Sequence, residues 1–194
     1  MSSWLNLKTV DSEITNRCNA ACTLCARTGI HNGVSDIIKG MKVRDVELDD
    51  WKDILTSKNG KNISKIFYCG NYGDPMMHPK LVEMLDIWTT YHPETCLYLH
   101  TNGSMRTKKF WTDMGSICKR FTNHLVVFAV DGMEDTHAIY RRKTDFNKIV
   151  ENIKAFTSVG GRASVTMTLF EHNKHQVKQV EELAWEVNAL RFQM

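Results

Sequence analysis

The sequence predicts an α/β fold in which parallel strands alternate with helices. Short apolar runs rich in strand-forming residues are separated by amphipathic segments of helical spacing, with turn residues at the junctions. Elements that alternate in this way form βαβ units, and right-handed crossovers wind their parallel strands into an open or closed barrel. We therefore expect a single domain over residues 1–194, built as a partial (β/α)6 TIM-like barrel.

The predicted elements follow one another in strict alternation. The strands are Thr9–Thr15, Ile63–Cys69, Cys96–His100, Leu125–Val130, Ala163–Phe170 and Leu190–Gln193. The helices are Asp49–Ser57, Pro79–Trp88, Lys108–Phe121, Phe146–Val159 and Gln176–Val187. A polar, glycine-containing connection is expected up to Gly40, and Asn188 can take the left-handed cap of the last helix. The sequence stops within the sixth strand, so we expect a barrel truncated at that point.

The overall composition excludes several classes of function. A net charge of +3 is too small to indicate nucleic-acid binding, and no apolar run approaches the ~18 residues that span a bilayer. The N-terminus lacks the basic and apolar regions of a signal peptide, so we expect a cytoplasmic protein. Half of the six cysteines are scattered through apolar runs, where a free cysteine behaves as a small hydrophobic residue.

The other half form a compact group after the first strand. Cys18, Cys22 and Cys25 have the spacing CxxxCxxC, so three thiolates on one loop can hold one metal centre. Iron–sulfur clusters are normally held by four thiolates, and a set of three leaves one iron open to bind a small molecule. Two alternatives remain open from spacing alone: a redox dithiol at Cys22 and Cys25, or a zinc site for which His31 is the nearest fourth ligand.

Unusual residues also follow each of the other predicted strands. In parallel α/β folds, ligands bind at the carboxyl ends of the strands. The segments found there, after the cysteine loop, are Gly70–Pro75 (GNYGDP), Thr101–Gly103 (TNG), Asp131–Gly132 and the end of EHN at Asn173. Each one alone is an ordinary turn. Each of them directly follows a predicted strand, as the cysteine loop does. This shared position predicts a ligand site at the carboxyl edge of the sheet.

The CxxxCxxC motif after a first strand resembles the cluster motif of radical S-adenosylmethionine (SAM) enzymes. The resemblance implies that Cys18, Cys22 and Cys25 hold a 4Fe–4S cluster whose fourth iron is chelated by SAM. It further implies reductive cleavage of SAM to a 5′-deoxyadenosyl radical, which abstracts hydrogen from a substrate. An electron donor of the flavodoxin or ferredoxin type is implied as a partner. In this chain Leu24 stands where the family favours an aromatic residue.

The later motifs are similar to SAM-contacting segments of the same family. GNYGDP resembles the GGEP motif that meets the SAM amino group, AVDG resembles SxDG beside the ribose, and HAIYRR resembles an HxxxR pattern whose arginine meets the SAM carboxylate. The residues that this implies for SAM binding are Tyr72, Gly73, Asp74, Pro75, Asp131, Arg141 and Asn173. Aspartate replaces the usual glutamate at Asp74, and Ala129 replaces the usual serine. Asn102 of TNG is expected to be mainly structural.

Within the family, the chain is nearest to the molybdopterin-precursor synthases and the SPASM-type peptide-modifying enzymes. The substrate, a peptide or a small molecule, is not specified by the sequence. A glycyl-radical-enzyme activase is an alternative, because such activases are short and use the same cysteine motif. The non-enzymatic alternative is an α/β protein that binds zinc or an iron–sulfur cluster without catalysing a reaction.

Overall fold

The computed structural model describes residues 8–31, 34–37, 41–57 and 60–194. The strands are β1 (Thr9–Asp11), β2 (Thr28–His31), β3 (Val34–Ile37), β4 (Lys65–Tyr68), β5 (Cys96–Thr101), β6 (Asn123–Ala129), β7 (Ala163–Thr166) and β8 (Arg191–Gln193). The helices are α1 (Leu48–Thr56), α2 (Leu81–Tyr91), α3 (Lys108–Cys118), α4 (His137–Tyr140), α5 (Phe146–Ser158) and α6 (Val177–Glu186). Short 3₁₀ turns cover Gly60–Asn62, Pro75–Met77 and Lys174–Gln176.

Six of these strands form one parallel sheet in the order β1-β4-β5-β6-β7-β8. Each strand pairs with the next sheet strand along the chain, and helices lie in most of the connections. This is the progression of a partial (β/α) barrel, so the predicted fold class is confirmed. All carboxyl ends of the sheet strands therefore lie at one edge.

The two faces of the sheet have different surroundings. On β5 and β6 the side chains of Leu97, Leu99, Val126 and Phe128 are fully buried in the main hydrophobic core. The intervening residues face the opposite side, which we call the inner face. There Phe67 of β4 and Tyr98 stack with ring centroids 4.7 Å apart and remain partly exposed.

Four of the sheet strands are shorter than predicted, and for two of them the structure shows the groups that replace strand pairing. The first strand ends at Asp11, and the chain then turns so that Thr15 forms an isolated antiparallel bridge with Asp45. The strand that begins at Ala163 ends at Thr166, since the N–H of Thr168 donates to Asp131 Oδ1 at 2.6 Å. Sequence periodicity cannot anticipate such long-range partners.

Two further segments differ from the sequence expectations. The polar connection through Gly40 contains the antiparallel hairpin β2–β3, while residues 38–40 lie outside the described residues. The second predicted helix begins at Leu81 rather than at Pro79, because the preceding chain forms a 3₁₀ turn capped by Asp74. As expected, Asn188 has a left-handed backbone, with φ of 57°.

Candidate cofactor site at the carboxyl edge

The segments that follow β1, β4, β5 and β6 meet around one cavity of about 260 Å³. It is lined by Cys18, Ala20, Cys22, Cys25, Arg27, Cys69, Gly70, Asn71, Gly73, Asp74, His100, Thr101, Asn102, Val127, Ala129, Arg141 and Thr166. All three clustered cysteines are among these residues, together with the GNYGDP loop and the arginine of the HxxxR segment. The cavity therefore brings together three of the five segments that follow the predicted strands, whereas Asp131–Gly132 and Asn173 do not line it.

The cysteine loop is a compact turn fastened to the segment after α4. Cys25 N–H donates to the Cys22 carbonyl at 3.2 Å, and Thr28 N–H donates to the Cys25 carbonyl at 2.9 Å. Ala21 N–H donates to the carbonyl of Arg142 at 2.9 Å, so the loop is tied to the residue after Arg141. These backbone hydrogen bonds keep the cysteine loop beside the segment that carries Arg141.

The thiols of Cys18 and Cys22 are in an environment that opposes their ionisation unless a positive group compensates the negative charge. Burial, followed by the charge of Asp74, raises the pKa of Cys18 to about 11. Burial also raises the pKa of Cys22, while Arg141 acts in the opposite direction. Arg141 Nη1 lies 3.9 Å from Cys22 Sγ. A thiol that coordinates a metal is deprotonated and its proton leaves to solvent, so bound metal would offset the cost of these raised pKa values.

Arg141 is fixed by a buried partner. Its Nε donates to Asp131 Oδ2 at 2.5 Å, and the two side chains are 20% and 1% exposed. Burial alone would lower the pKa of Arg141, but the charges of Asp131 and Cys22 raise it above its usual value. Because Asp131 engages Nε, the terminal nitrogens remain on the cavity side. A guanidinium held in this way can donate two parallel bonds to a carboxylate.

Asp74 connects three of the loops rather than projecting freely into the cavity. Its carboxylate accepts from Thr101 Oγ1 at 3.0 Å, from Asn102 N at 2.8 Å, from Asn102 Nδ2 at 2.8 Å and from Met76 N at 3.0 Å. Burial raises the pKa of Asp74 to about 6, although the hydrogen bonds from these donors act to lower it. Asn102 Nδ2 also lies 3.0 Å from Asn19 Oδ1 and 3.8 Å from Cys18 Sγ.

The backbone of the GNYGDP loop is held close to the segment after β1. The N–H groups of Asn71 and Tyr72 donate to the carboxylate of Glu13. A Cβ at Gly73 would overlap the carbonyl oxygen of Thr15, so the two backbones require glycine there. Gly73 lines the cavity, whereas the Tyr72 side chain is 52% exposed and lies outside the lining.

The remaining predicted residues surround the cavity without lining it. Asn173 is fully buried, and its Nδ2 donates to the carbonyls of Asp131 and Thr168 at 3.0 and 2.9 Å. Its Oδ1 accepts from Phe170 N at 2.7 Å. Pro75 is buried at the start of a 3₁₀ turn. In this structure Asn173, Asp131 and Pro75 shape the loops that carry the lining residues.

Several lining residues were not singled out from the sequence. Arg27 is 5% exposed, and its Nη2 donates to the Asn16 carbonyl at 3.0 Å beside the cysteine loop. Asn102, expected to be mainly structural, connects Asp74 to the cysteine loop. Cys69 lies in an apolar run, where the sequence predicts a small hydrophobic role, and no role was predicted for His100. Both line the cavity, because they occupy inward positions at the ends of β4 and β5.

The donor set fits an iron–sulfur cluster held by three cysteines. Each cysteine of such a cluster binds a different iron, so the thiols need to border a common space but not to converge on one point. Among the described residues, no three histidine, cysteine or acidic side chains converge tightly enough to hold a single metal ion. The His31 side chain, the candidate zinc ligand, lies outside what the structure describes. Arg27 and Arg141 supply positive charge beside the thiols.

The structure is a partial α/β barrel with a cavity, lined by three cysteine thiols, at the carboxyl edge of its sheet. The sequence profile of the radical SAM superfamily matches residues 12–184. The chain belongs to the radical SAM superfamily, as the cysteine motif predicts. Among curated proteins, no sequence matches this chain significantly.

Solved structures share this fold at low sequence identity. SuiB from Streptococcus suis, bound to S-adenosylmethionine, has a TM-score of 0.71 and 15% identity over 97% of this chain and 40% of SuiB. The enzyme anSMEcpe, with bound AdoMet and Cp18Cys peptide, has a TM-score of 0.66 and 15% identity, covering 95% and 49%. Methylornithine synthase (PylB) has a TM-score of 0.57 and 7% identity, covering 93% and 51%.

The chain thus spans between 40% and about half of the length of these structures. At these identities, the likeness is one of fold. None of the described helices combines the length and the apolarity needed to cross a bilayer.

Proposed function

We propose that residues 1–194 are the core domain of a radical SAM enzyme in which Cys18, Cys22 and Cys25 hold a 4Fe–4S cluster. When bound, this cluster and SAM supply a reductive cleavage to methionine and a 5′-deoxyadenosyl radical that abstracts hydrogen from the substrate. The observation that carries the proposal is the single cavity shared by the three thiols, Arg141 and the GNYGDP loop. Membership of the radical SAM superfamily supports it independently.

The chain's own residues have separable tasks in this proposal. Arg141, held through Nε by Asp131, presents its terminal nitrogens to the SAM carboxylate. The loop Tyr72–Pro75 presents backbone carbonyls to the SAM ammonium, since Gly73 lines the cavity. The Asp74 carboxylate already accepts hydrogen bonds from three residues, so we assign it the task of holding that loop. Asp131 and Asn173 position the segments around the ribose side of the pocket.

The proposed surroundings follow from the same chemistry. A cytoplasmic location and an electron donor of the flavodoxin or ferredoxin type suit an oxygen-sensitive cluster that needs one electron per cleavage. SuiB has been solved with its precursor peptide SuiA, and anSMEcpe with a peptide. We propose a substrate that is a peptide or a small molecule, in the branch of the SPASM-type peptide-modifying enzymes and molybdopterin-precursor synthases.

Anaerobic reconstitution tests the cofactor directly. The wild type should be brown and contain about four iron and four sulfide per chain. Cys18→Ala, Cys22→Ala and Cys25→Ala should each lose that content, whereas Cys96→Ala, at the far end of β5, should retain it. A colourless protein that contains one zinc would contradict the proposal and support the zinc alternative.

Equilibrium dialysis of the reconstituted protein with SAM tests the binding residues. Arg141→Met should weaken SAM binding by about tenfold or more, because a charge-assisted bond contributes roughly 1.5–3 kcal/mol. Arg142→Met is the matched control, since Arg142 is the exposed neighbour in the sequence and does not line the cavity. Equal losses in the two variants would contradict the assignment of Arg141.

A further inference from the structure

The cavity has a second wall that the proposed function leaves unused. Its residues are Cys69, His100, Val127, Ala129 and Thr166. His100 pairs in register with Val127 across β5 and β6, and Cys69 follows the last registered pair, Tyr68 with Leu99. Cys69, His100 and Val127 therefore form one row across three adjacent strands, with neighbours about 4.8 Å apart. We call Cys69, His100 and the adjacent Asp11 the polar wall.

Asp11 belongs to this wall through β1. Its register partner on β4 is Phe67, two residues before Cys69. Val10 packs towards the core, so Asp11 lies on the inner face. The pKa of Cys69 is raised to about 11 by burial, and then by the charge of Asp11 and a hydrogen bond that the thiol donates to Asp11. The charge of Asp11 also acts on His100.

The wall has hydrogen-bonding capacity that the protein itself does not use. His100 is exposed on the cavity side, and none of the described residues forms a hydrogen bond with either of its ring nitrogens. Burial lowers the pKa of His100 despite the opposing charge of Asp11, so the ring is neutral at pH 7. A neutral imidazole offers one donor and one acceptor. The carboxylate of Asp11 adds acceptors and a negative charge.

We propose that the polar wall binds the substrate through a hydrogen-bond-donating group, an amine or a hydroxyl, in preference to a carboxylate or a phosphate. This role as substrate wall rests on the proposed function, because it assigns the opposite side of the same cavity to the cluster and SAM. The preference follows from charge, because Asp11 attracts an ammonium and repels anions on this side of the cavity. The positive charges of the lining, Arg27 and Arg141, lie beside the thiols and are assigned to the cluster and SAM. His100 accepts from the bound donor, and the small Val127 and Ala129 leave space beside it.

Alkylation of Cys69 provides a readout that requires no turnover. Reconstituted protein is treated anaerobically with iodoacetamide, and each cysteine-containing peptide is quantified by mass spectrometry. The probes are n-butylamine, n-butanol, butyrate and butyl phosphate, each tested over the same range of concentrations. Cys96 is the internal control, because it is also a partly exposed cysteine on β5 but lies at the opposite end of the strand.

Butylamine and butanol should slow alkylation of Cys69 about threefold at twice their dissociation constant, without slowing Cys96. Butyrate and butyl phosphate should have no effect. In Asp11→Asn, protection by butylamine should disappear, and alkylation at pH 8 should become faster because the thiol ionises more readily. In His100→Leu, protection by butanol should disappear, whereas the exposed control His175→Leu should behave as wild type.

The proposal is overturned if the anionic probes protect Cys69 as well as butylamine does, or if no probe distinguishes Cys69 from Cys96. Both outcomes are measured in wild-type protein, so they do not depend on the folding of a variant. Failure of the proposed function would be seen separately, as absence of iron and sulfide or of SAM binding. Loss of selectivity in a protein that binds cluster and SAM would overturn only the assignment of the polar wall.

Discussion

Replacement of Asp131 by asparagine removes the charge that holds Arg141 in place. Asp131 is fully buried, and its carboxylate accepts from Arg141 Nε at 2.5 Å and from Thr168 N at 2.6 Å. Asparagine preserves the size of the side chain and can still accept from Thr168. It cannot compensate the guanidinium, whose Nε–H would face either a neutral oxygen or an N–H group.

The expected loss of stability follows from this burial. Breaking a buried ion pair by removing one partner costs about 3–5 kcal/mol. Arg141 is 20% exposed and lies 5.2 Å from the centroid of the Tyr140 ring, so water and a cation–π contact offset part of the loss. We therefore expect the lower end, about 3 kcal/mol. For a chain of this length, that corresponds to a melting temperature about 6–12 °C lower.

Urea unfolding of the cofactor-free protein measures this change. Asp113→Asn is the control, since its ion pair with Lys109 is largely exposed and should contribute at most about 0.5 kcal/mol. The double variant Asp131→Asn/Arg141→Met should lose about 2 kcal/mol less free energy of unfolding than the sum of the two single losses. The reason is that it no longer contains an uncompensated buried charge. A loss below about 1 kcal/mol, or strict additivity in the double variant, would refute the reasoning.

Three other consequences can be measured. Gly73→Ala should lower the free energy of unfolding by about 2 kcal/mol, because the new methyl group overlaps the backbone carbonyl of Thr15; unchanged stability would mean that the two loops separate freely. Burial lowers the pKa values of His124 and His137 to about 4. The unfolded chain then binds more protons between pH 4 and 6.5, so stability should fall as the pH is lowered through this window, by at most about 1.4 kcal/mol per pH unit for each histidine. His124→Gln should reduce that slope, and an unchanged slope would argue against a neutral buried ring. Asn102→Ala removes an amide beside Cys18 Sγ and should lower the reduction potential of the reconstituted cluster, whereas an unchanged or higher potential would contradict this role.

The sequence predicts the sheet and the edge of the site because both depend on local patterns. Alternating strand and helix periods specify a parallel sheet, and the order of its strands follows the chain. Turn residues after consecutive strands must then meet at one edge. Cys22, Gly73 and Arg141 come together for this reason, although more than a hundred residues separate the first from the last.

The sequence could not predict which side chains of the buried strands face inwards. The run IFYC of Ile66–Cys69 and the run LVVFAV of Leu125–Val130 are apolar throughout, so alternation does not distinguish their two faces. Cys69 therefore resembled a core residue, and only the register of β4 with β5 brings it beside His100. The hairpin β2–β3 is different, because its sequence contains an Asn-Gly pair, a strong hairpin signal that could have identified it.

Long-range hydrogen bonds account for the remaining differences. Thr101 and Asn102 donate hydrogen bonds to the carboxylate of Asp74. These bonds occupy the oxygens that the sequence motif alone assigns to a ligand. The end of the strand that begins at Ala163 depends on Asp131 in the same way. Such partners are distant in sequence, so no pattern within a single segment reveals them.

The central claim is that three thiols and one basic pocket make this chain a SAM-cleaving iron–sulfur protein. Its most direct test is the amount of 5′-deoxyadenosine that the anaerobically reconstituted chain releases from SAM with a strong reductant, measured by liquid chromatography and mass spectrometry. We expect release by the wild type and by Cys96→Ala, and none by Cys22→Ala. Release that persists in Cys22→Ala, or no release from wild type that contains a complete cluster, would contradict it.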